Sequence, residues 1–275
     1  MLTGTKLIAD IDASRPGPGE VCLWWLGQQS FVVKLGQAVV FLDPFLSNLA
    51  GRLVAPLLAP GEIHNADFIL GSHDHTDHID RAVWPALAAA SPQARFVVPE
   101  LLRERLAKEL AIPLARFIGL DDGQTVETGG VNFSAIAAAH EFLDQDPQTH
   151  RYPYLSYIIE GQGCALFHAG DTCIYEGQQT KLRRWKFDVA CLPINGRDAV
   201  RYAAHCIGNM TYQEAADLAG ALRPRLTIPA HYDMFAMNPG SPTLFADYMR
   251  VKYPHLNVQV CEYGRRVQLA AKNIH

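Results

Sequence analysis

The stretch Ser72-His73-Asp74-His75-Thr76-Asp77-His78 decides the fold expected for this chain. It places three histidines and two carboxylates in seven residues, directly after the apolar segment 68–71. Imidazole and carboxylate groups together suit first-row divalent metals. A short loop has no packing reason to gather so many of them. The stretch therefore indicates a metal site at the end of a predicted strand.

The composition is that of a globular protein and excludes several classes of partner. Of the 275 residues, 49% are hydrophobic and 19% are charged, which suits one domain spanning 1–275. The net charge of −4 gives no electrostatic footprint for nucleic acid, and no stretch is suited to cross a membrane. The first 19 residues lack an apolar run of signal-peptide length, and the six cysteines form no C-x-x-C pair. We therefore expect a cytoplasmic protein with reduced thiols.

Strand-like and helix-like patterns alternate along the chain. Apolar runs typical of strands lie at 21–26, 31–35, 38–42, 68–71, 131–137, 155–160, 164–169, 189–192, 226–229, 258–261 and 267–269. Helical patterns lie at 81–90, 100–111, 211–222 and 241–251, and the third begins with a capping box formed by Thr211 and Glu214. Strand clusters in both halves, each followed by helices, predict two packed sheets with helices outside.

Further candidate ligands follow other predicted strands. His140, Asp171 and His231 each come just after an apolar run, and Asp43 ends the third predicted strand. A polar residue in that position projects from the sheet edge. One such histidine alone would be an ordinary loop residue more often than a ligand. Their recurrence in this order after the H-x-H-x-D-H motif predicts one shared cleft.

With these residues in place, the chain resembles the metallo-β-lactamase superfamily of metal-dependent hydrolases over nearly its whole length. The resemblance implies the α/β class and the αββα sandwich, with two packed mixed sheets, helices on the outer faces and the site at one sheet edge. It also implies two metals per chain. In the matching positions, the first metal is held by His73, His75 and His140, the second by Asp77, His78 and His231, and Asp171 bridges both, while Asp43 braces the site.

The expected chemistry follows from that ligand set. A metal pair can bind one water molecule and deprotonate it to hydroxide near neutral pH. Redox di-iron members of the superfamily carry Glu where this chain has His75, which disfavours oxygen chemistry. Imidazole-rich ligation suits Zn²⁺, whereas carboxylates and water suit Mn²⁺, and both metals stay open.

Several segments are similar to the L-ascorbate-6-phosphate lactonase branch of the superfamily. They are residues 25–31, 72–80, 192–198, 207–216 and 228–233. This similarity implies opening of a lactone in a phosphorylated sugar acid, a small-molecule substrate, by attack of a metal-bridging hydroxide. Asp77 or Asp171 is expected to be the catalytic carboxylate that accepts or relays the proton.

A phosphorylated substrate requires an anion site beside the metals. Arg197 follows an apolar strand and is the first candidate, because its forked donors match a phosphate, with Asn195 in support. Arg151 lies in the insert 141–154, which is expected to form a flap. For each arginine, a surface or structural ion pair is an equal alternative. His168 is expected to be an ordinary surface or core histidine.

Two alternative functions stay open. A phosphodiesterase or cyclic-phosphate hydrolase could use the same dinuclear site, although the acidic balance and the lack of a basic amphipathic helix argue against RNA and lipid substrates. A non-catalytic metal-binding sensor is the second alternative. The presence of all seven expected metal ligands argues against it. The oligomeric state is open, with a homo-oligomer as one option.

Overall fold

The computed structural model describes residues 1–272, which form two β-sheets with helices against their outer faces. The strands of the first sheet are β1 (Val21–Gly27), β2 (Ser30–Leu35), β3 (Ala38–Leu42), β4 (Phe68–Leu70), β5 (Arg95–Pro99), β6 (Phe117–Leu120) and the last strand, β13 (Arg266–Leu269). They lie in the order β13-β1-β2-β3-β4-β5-β6. Strands β3 to β6 run parallel, whereas β13, β1, β2 and β3 pair antiparallel.

The second sheet is also mixed. Its strands are β7 (Thr125–Thr128), β8 (Val131–Ala137), β9 (Leu155–Gly161), β10 (Cys164–His168), β11 (Val189–Pro193) and β12 (Leu226–Ala230). They lie in the order β12-β11-β10-β9-β8-β7. Strands β10, β11 and β12 run parallel, and the other pairs are antiparallel. Parallel neighbours end at the same sheet edge, so residues that follow them meet there.

The helices cover apolar sheet faces. They are α1 (Gly4–Ala13), α2 (Trp84–Ala90), α3 (Glu100–Glu109), α4 (Gln178–Leu182), α5 (Ala199–Ala203), α6 (Tyr212–Leu222) and α7 (Pro242–Lys252). Strand β1 shows how both faces of the first sheet are used. Leu23 and Trp25 pack between the sheets, while Trp24 faces the buried side chains of α1, α2 and α3. This alternation follows from the two-residue period of a strand.

The observed architecture confirms the αββα sandwich expected from the sequence. Most predicted strands and helices are present within a residue or two of their expected bounds. Residues 258–261, however, form no strand, because Val258 makes only an isolated bridge to Thr227. Helices α1, α4 and α5 and strands β5, β6 and β7 were not predicted. In the described part of the chain, no helix combines the length and apolar character required to span a bilayer.

Candidate metal centre

The two sheets bring all seven predicted ligands to one place. His73, His75, Asp77 and His78 lie in the loop that follows β4 in the first sheet. The second sheet contributes residues that follow β8, β10 and β12, namely His140, Asp171 and His231. Their side-chain ligand atoms form overlapping groups in which all atoms lie within 4.8 Å of one another.

One part of the centre consists of three histidines. The Nδ1 atom of His75 lies 3.0 Å from Nε2 of His73 and 3.2 Å from Nε2 of His140. Burial lowers the pKa values of His73 and His75, and it lowers the pKa of His140 to about 4. The three rings are therefore neutral near pH 7, with nitrogen lone pairs available for a metal.

The other part combines histidines with carboxylates. Asp171 Oδ1 lies 3.2 Å from Nε2 of His78 and 3.0 Å from Nε2 of His231. Its second oxygen, Oδ2, lies 3.9 Å from Nε2 of His140 in the first part. Asp77 Oδ2 lies 3.6 Å from Nε2 of His78 and 3.4 Å from Nε2 of His231. Asp171 thus faces both parts of the centre.

In the second part of the centre, the two aspartates favour a positive charge on His78 and His231. Burial lowers the pKa of His78, but Asp171 and Asp77 outweigh it and raise that pKa well above its usual range. The same balance raises the pKa of His231 to about 9. Burial in turn raises the pKa values of Asp77 and Asp171, but the histidines outweigh it and keep both carboxyls anionic. The two aspartates therefore create a place where a cation is stabilised.

The buried atoms that lack hydrogen bonds fit a metal. Among the described residues, Nε2 of His78, Nε2 of His231 and Oδ1 of Asp171 are buried and form no aligned hydrogen bond. Buried polar atoms normally have partners, so unpaired atoms converging on one point indicate an ion. Imidazole nitrogen and carboxylate oxygen are ligands for first-row divalent metals. The residues of this centre therefore fit the metal role assigned from the sequence.

Asp43 contacts the ligand His78 and two further residues next to the centre, His168 and Ser72. Its Oδ2 lies 2.7 Å from Nδ1 of His78 and 2.9 Å from Nε2 of His168, and it accepts a 2.8 Å hydrogen bond from the Ser72 hydroxyl. Asp43 has a positive φ of 42°, which turns the chain at the end of β3. The contact at Nδ1 orients His78 so that Nε2 faces the ligand cluster, as is usual for metal-bound histidines.

The roles of two residues next to the centre, His168 and Gln28, were not predicted from the sequence. His168 was expected to be ordinary, but it is fully buried at the end of β10 and bonded to Asp43. Gln28 donates from Nε2 to Asp77 Oδ2 at 3.1 Å, and its carbonyl accepts the 2.9 Å hydrogen bond of the His231 backbone. A histidine inside an otherwise apolar strand is the signal that could have identified His168. Gln28 offered no comparable signal.

The centre opens into a cavity of about 360 Å³. Residues Phe45, Leu49, Ile207, Phe235 and Met237 contribute much of its wall. Gln28, Thr76, His205, Cys206 and Asn238 line the rest, together with His75, Asp77, His140, Asp171 and His231 of the centre. None of the described residues in this lining is a lysine or an arginine. A negatively charged substrate group would therefore find no lysine or arginine side chain here.

The predicted phosphate ligands lie outside this lining. Arg197 donates from Nη1 and Nη2 to the two carboxylate oxygens of Glu214 at 2.7 Å each. Arg151 is 44% exposed, and its nearest carboxylate, on Glu100, is 3.8 Å away. Both Nη groups of Arg197 thus take part in an ion pair, which is the alternative that the sequence left open for this arginine.

Asn195 also lies outside the lining, but it contacts a residue that belongs to it. Its amide donates to Asn238 Oδ1 at 3.0 Å, and the Asn238 amide lies 3.4 Å from His231 Nδ1. The predicted flap, 141–154, contains an exposed turn around Asp146. Tyr154, at the end of this segment, reaches the histidines, with its ring centroid 5.3 Å from that of His140.

Comparisons with known proteins agree with this site and fold. A family model described as "Beta-lactamase superfamily domain" matches residues 39–232. A "UPF0173 metal-dependent hydrolase" of Caldivirga maquilingensis is 30% identical over 251 residues, covering 91% of this chain and 99% of that protein. A protein of the same description from Myxococcus xanthus is 31% identical over 263 residues, covering 94% and 86%, respectively.

The fold also matches solved structures. Igni18, described as a novel metallo hydrolase from Ignicoccus hospitalis, superposes with a TM-score of 0.69 at 23% identity, covering 92% of this chain and 100% of that one. An isothiocyanate hydrolase from Delia radicum gut bacteria gives a TM-score of 0.70 at 13% identity, with 91% and 100% covered. These similarities concern the fold alone. The family model and the curated relatives show that this chain belongs to the UPF0173 family of metal-dependent hydrolases within the metallo-β-lactamase superfamily.

Proposed function

We propose that this metal-dependent hydrolase opens a carboxylic ester, in particular a lactone, whose non-reacting part carries no phosphate. One observation carries the proposal: the seven-residue centre opens into a cavity walled by apolar side chains and, among the described residues, by no lysine or arginine. The similarity to the lactonase branch supports the reaction type. The cavity lining argues against the phosphorylated form of the substrate.

Two metals fit the ligand groups better than one. His73, His75 and His140 form one group of three, and Asp77, His78 and His231 form another. Asp171 directs one oxygen toward each group, as a bridging carboxylate would. Divalent metals bound here would supply a water-derived nucleophile at neutral pH and polarise the substrate carbonyl. Zn²⁺ and Mn²⁺ are both compatible with the donor set.

Asp77 is the better placed of the two carboxylates for moving a proton. Its side chain is 24% exposed in the cavity, whereas that of Asp171 is 4% exposed. Gln28 holds Oδ2 of Asp77 by a 3.1 Å hydrogen bond, which fixes the carboxylate beside His231. The histidines keep the pKa of Asp77 below its usual range, so it is anionic before the reaction. We assign Asp77 as the group that would receive the proton of the attacking water and pass it to the departing alkoxide oxygen, which leaves as an alcohol.

The apolar wall sets the class of substrate. Phe45, Phe235 and Met237 line the cavity beside the metal centre, where the alkyl or ring part of an ester would lie. A phosphate placed among them would lose its hydration without gaining a lysine or arginine partner. A neutral ester avoids this desolvation penalty and buries apolar surface.

The test is a substrate panel with measured metal content. The purified protein is loaded with Zn²⁺ or Mn²⁺ and assayed with δ-valerolactone, p-nitrophenyl butyrate, a phosphorylated sugar lactone and bis-p-nitrophenyl phosphate. We expect metal-dependent turnover of the neutral lactone or ester, with kcat/KM above that of the phosphorylated lactone. Chelator-treated protein is the control.

Each outcome has a distinct meaning. A higher kcat/KM for the phosphorylated lactone would contradict the neutral-substrate assignment. Faster turnover of bis-p-nitrophenyl phosphate than of every ester would replace the proposal by the phosphodiesterase alternative. Full metal loading without turnover of any compound would overturn the ester hydrolase assignment.

A further inference from the structure

We propose that the metal-centre cavity continues into a second cavity that binds an apolar chain of the substrate, so that the preferred ester is an elongated, uncharged amphiphile. This inference rests on the proposed function, since the metal centre must hold the reacting carbonyl. The second cavity, called here the side cavity, has a volume of about 340 Å³. It lies beside the backbone of residues 197–208, between β11 and α6.

The two cavities adjoin each other. Cys206 and Ile207 line both of them, so the metal-centre cavity and the side cavity meet at these two residues. Ile207 is only half-buried, and it lines both cavities. A ligand whose carbonyl lies at the metal centre can therefore extend past Ile207 into the side cavity.

Two of the three charged residues of the side cavity, Arg197 and Asp198, are paired with other side chains. Arg197 is held by both oxygens of Glu214, and its Nη1 also donates to the Asn209 carbonyl at 3.0 Å. Asp198 caps α5 by accepting the Arg201 backbone hydrogen bond at 2.9 Å, and its other oxygen pairs with the Arg201 side chain. Since Arg197 pairs with Glu214 and Asp198 pairs with Arg201, the surface left for a ligand is mainly apolar.

The remaining lining selects against anionic chains. Tyr202 is 66% exposed at the side cavity, where its ring can cover an alkyl chain. Glu141 lies at the same cavity and forms no ion pair with any described residue. Its carboxylate would repel a chain ending in a carboxylate or phosphate. The side cavity thus favours a neutral hydrocarbon chain.

The test measures binding separately from turnover. Alkyl hydroxamates bind divalent metals through their head group and extend a chain of chosen length, so acetohydroxamate and octanohydroxamate are titrated calorimetrically into the metal-loaded protein. We expect the affinity to rise about twofold per added methylene, which corresponds to roughly half-burial of each. The same order should appear in kcat/KM for p-nitrophenyl acetate, butyrate and octanoate.

Two variants locate the chain. Ile207→Trp narrows the passage and should abolish the advantage of octanohydroxamate over acetohydroxamate. Tyr202→Ala, at an exposed position that tolerates truncation, should reduce the same advantage severalfold. The matched control is Leu114→Trp, because Leu114 is 42% exposed and lines neither cavity.

The outcomes separate this inference from the proposed function. Equal affinity for both hydroxamates would overturn it, and so would a chain-length advantage that survives both Ile207→Trp and Tyr202→Ala. Chain-length-dependent binding without turnover of any ester would support the side cavity and contradict the proposed reaction. Ester turnover without chain-length preference would leave the reaction supported and overturn the side-cavity assignment.

Discussion

Asp43 illustrates how one buried residue organises the centre without touching a metal. It lies between His78, His168 and Ser72, and both histidine contacts use the same oxygen, Oδ2. Burial raises its pKa, but His78 and His168 outweigh it and keep the carboxyl anionic. An anion at this position fixes the tautomer of His78 that leaves Nε2 free to bind a metal.

Replacement of Asp43 by asparagine should therefore weaken metal binding. The amide would keep the size of the side chain but lose the negative charge, and we expect the metal affinity to fall about 10- to 100-fold. The affinity is measured by competition with a chromogenic chelator. Asp247→Asn is the control, since that carboxylate is 56% exposed and pairs with Arg250 on the surface of α7. Unchanged affinity in Asp43→Asn would show that Asp43 does not orient His78.

Protons compete with metal at His78 and His231. Carboxylates raise the pKa of His78 well above its usual range and that of His231 to about 9, so both rings are protonated near pH 7 in metal-free protein. His73, His75 and His140 have lowered pKa values and carry no proton to displace. Metal binding near pH 7 should release about two protons, measured by calorimetry in buffers of different ionisation enthalpy.

The raised pKa of His231 also predicts how the stability of the metal-free protein changes with pH. The folded-state pKa of His231 is raised from 6.5 to about 9, so its contribution is full below pH 6.5 and is lost as the pH rises to about 9. The free energy of unfolding of metal-free protein should fall across that interval. Zero proton release on metal binding, together with flat stability in that interval, would contradict the assigned charges.

Among the structural elements, the loop after β4 depends on a glycine at its first turn. A Cβ atom at Gly71 would lie 2.6 Å from Cγ1 of Ile79 and 2.9 Å from the Trp84 ring. Both neighbours are fully buried, so neither can move freely. The absence of a side chain at Gly71 lets the metal-binding loop fold back against the start of α2.

Gly71→Ala should destabilise this loop by overpacking. We expect the free energy of unfolding to fall by about 1–3 kcal/mol, measured by urea denaturation. Gly61→Ala is the matched control, because a Cβ atom there would meet nothing within 4 Å, and its effect should stay within about 0.5 kcal/mol. Equal stability of the two variants would show that the loop tolerates a Cβ at Gly71.

Helix α6 supplies the carboxylate that pairs with Arg197. Glu214 closes the capping box with Thr211 at the start of α6, and its carboxylate also binds Arg197. Arg197→Lys would lose the two-pronged contact. The pair is about 44% and 31% exposed, so the expected loss of unfolding free energy is only about 0.2–1 kcal/mol.

Kinetics distinguish this structural role from substrate binding. KM for a phosphorylated lactone and for its unphosphorylated analogue should change equally in Arg197→Lys. The control Arg250→Lys removes a matched ion pair on the surface of α7. A rise in KM for the phosphorylated compound alone would restore Arg197 as a phosphate ligand.

The sequence predicted what is encoded locally. A polar residue after an apolar run marks the end of a strand, and this pattern led to His140, Asp171 and His231. Contacts between distant elements were not predictable in this way. His168 owes its role to Asp43, 125 residues away in the sequence, and the ion pair of Arg197 depends on how α6 docks.

At the scale of the whole molecule, the centre joins the two sheets. The first sheet supplies four predicted ligands from one loop, and the second sheet supplies three from three separate strand ends, with Asp171 facing both groups. The fold brings these edges together by packing the inner faces of both sheets into one apolar core. Metal binding at the sheet edge is therefore the property on which the hydrolase function depends.

The most direct measurement is the metal content of the purified protein after loading with Zn²⁺ or Mn²⁺ and exhaustive dialysis, determined by inductively coupled plasma mass spectrometry. Wild-type protein should retain about two metals per chain. Asp171→Ala, which removes the carboxylate facing both ligand groups, should retain fewer, and Asp247→Asn should match wild type. Wild-type protein that is folded, as judged by circular dichroism, but retains no metal above the buffer background would contradict the metal centre.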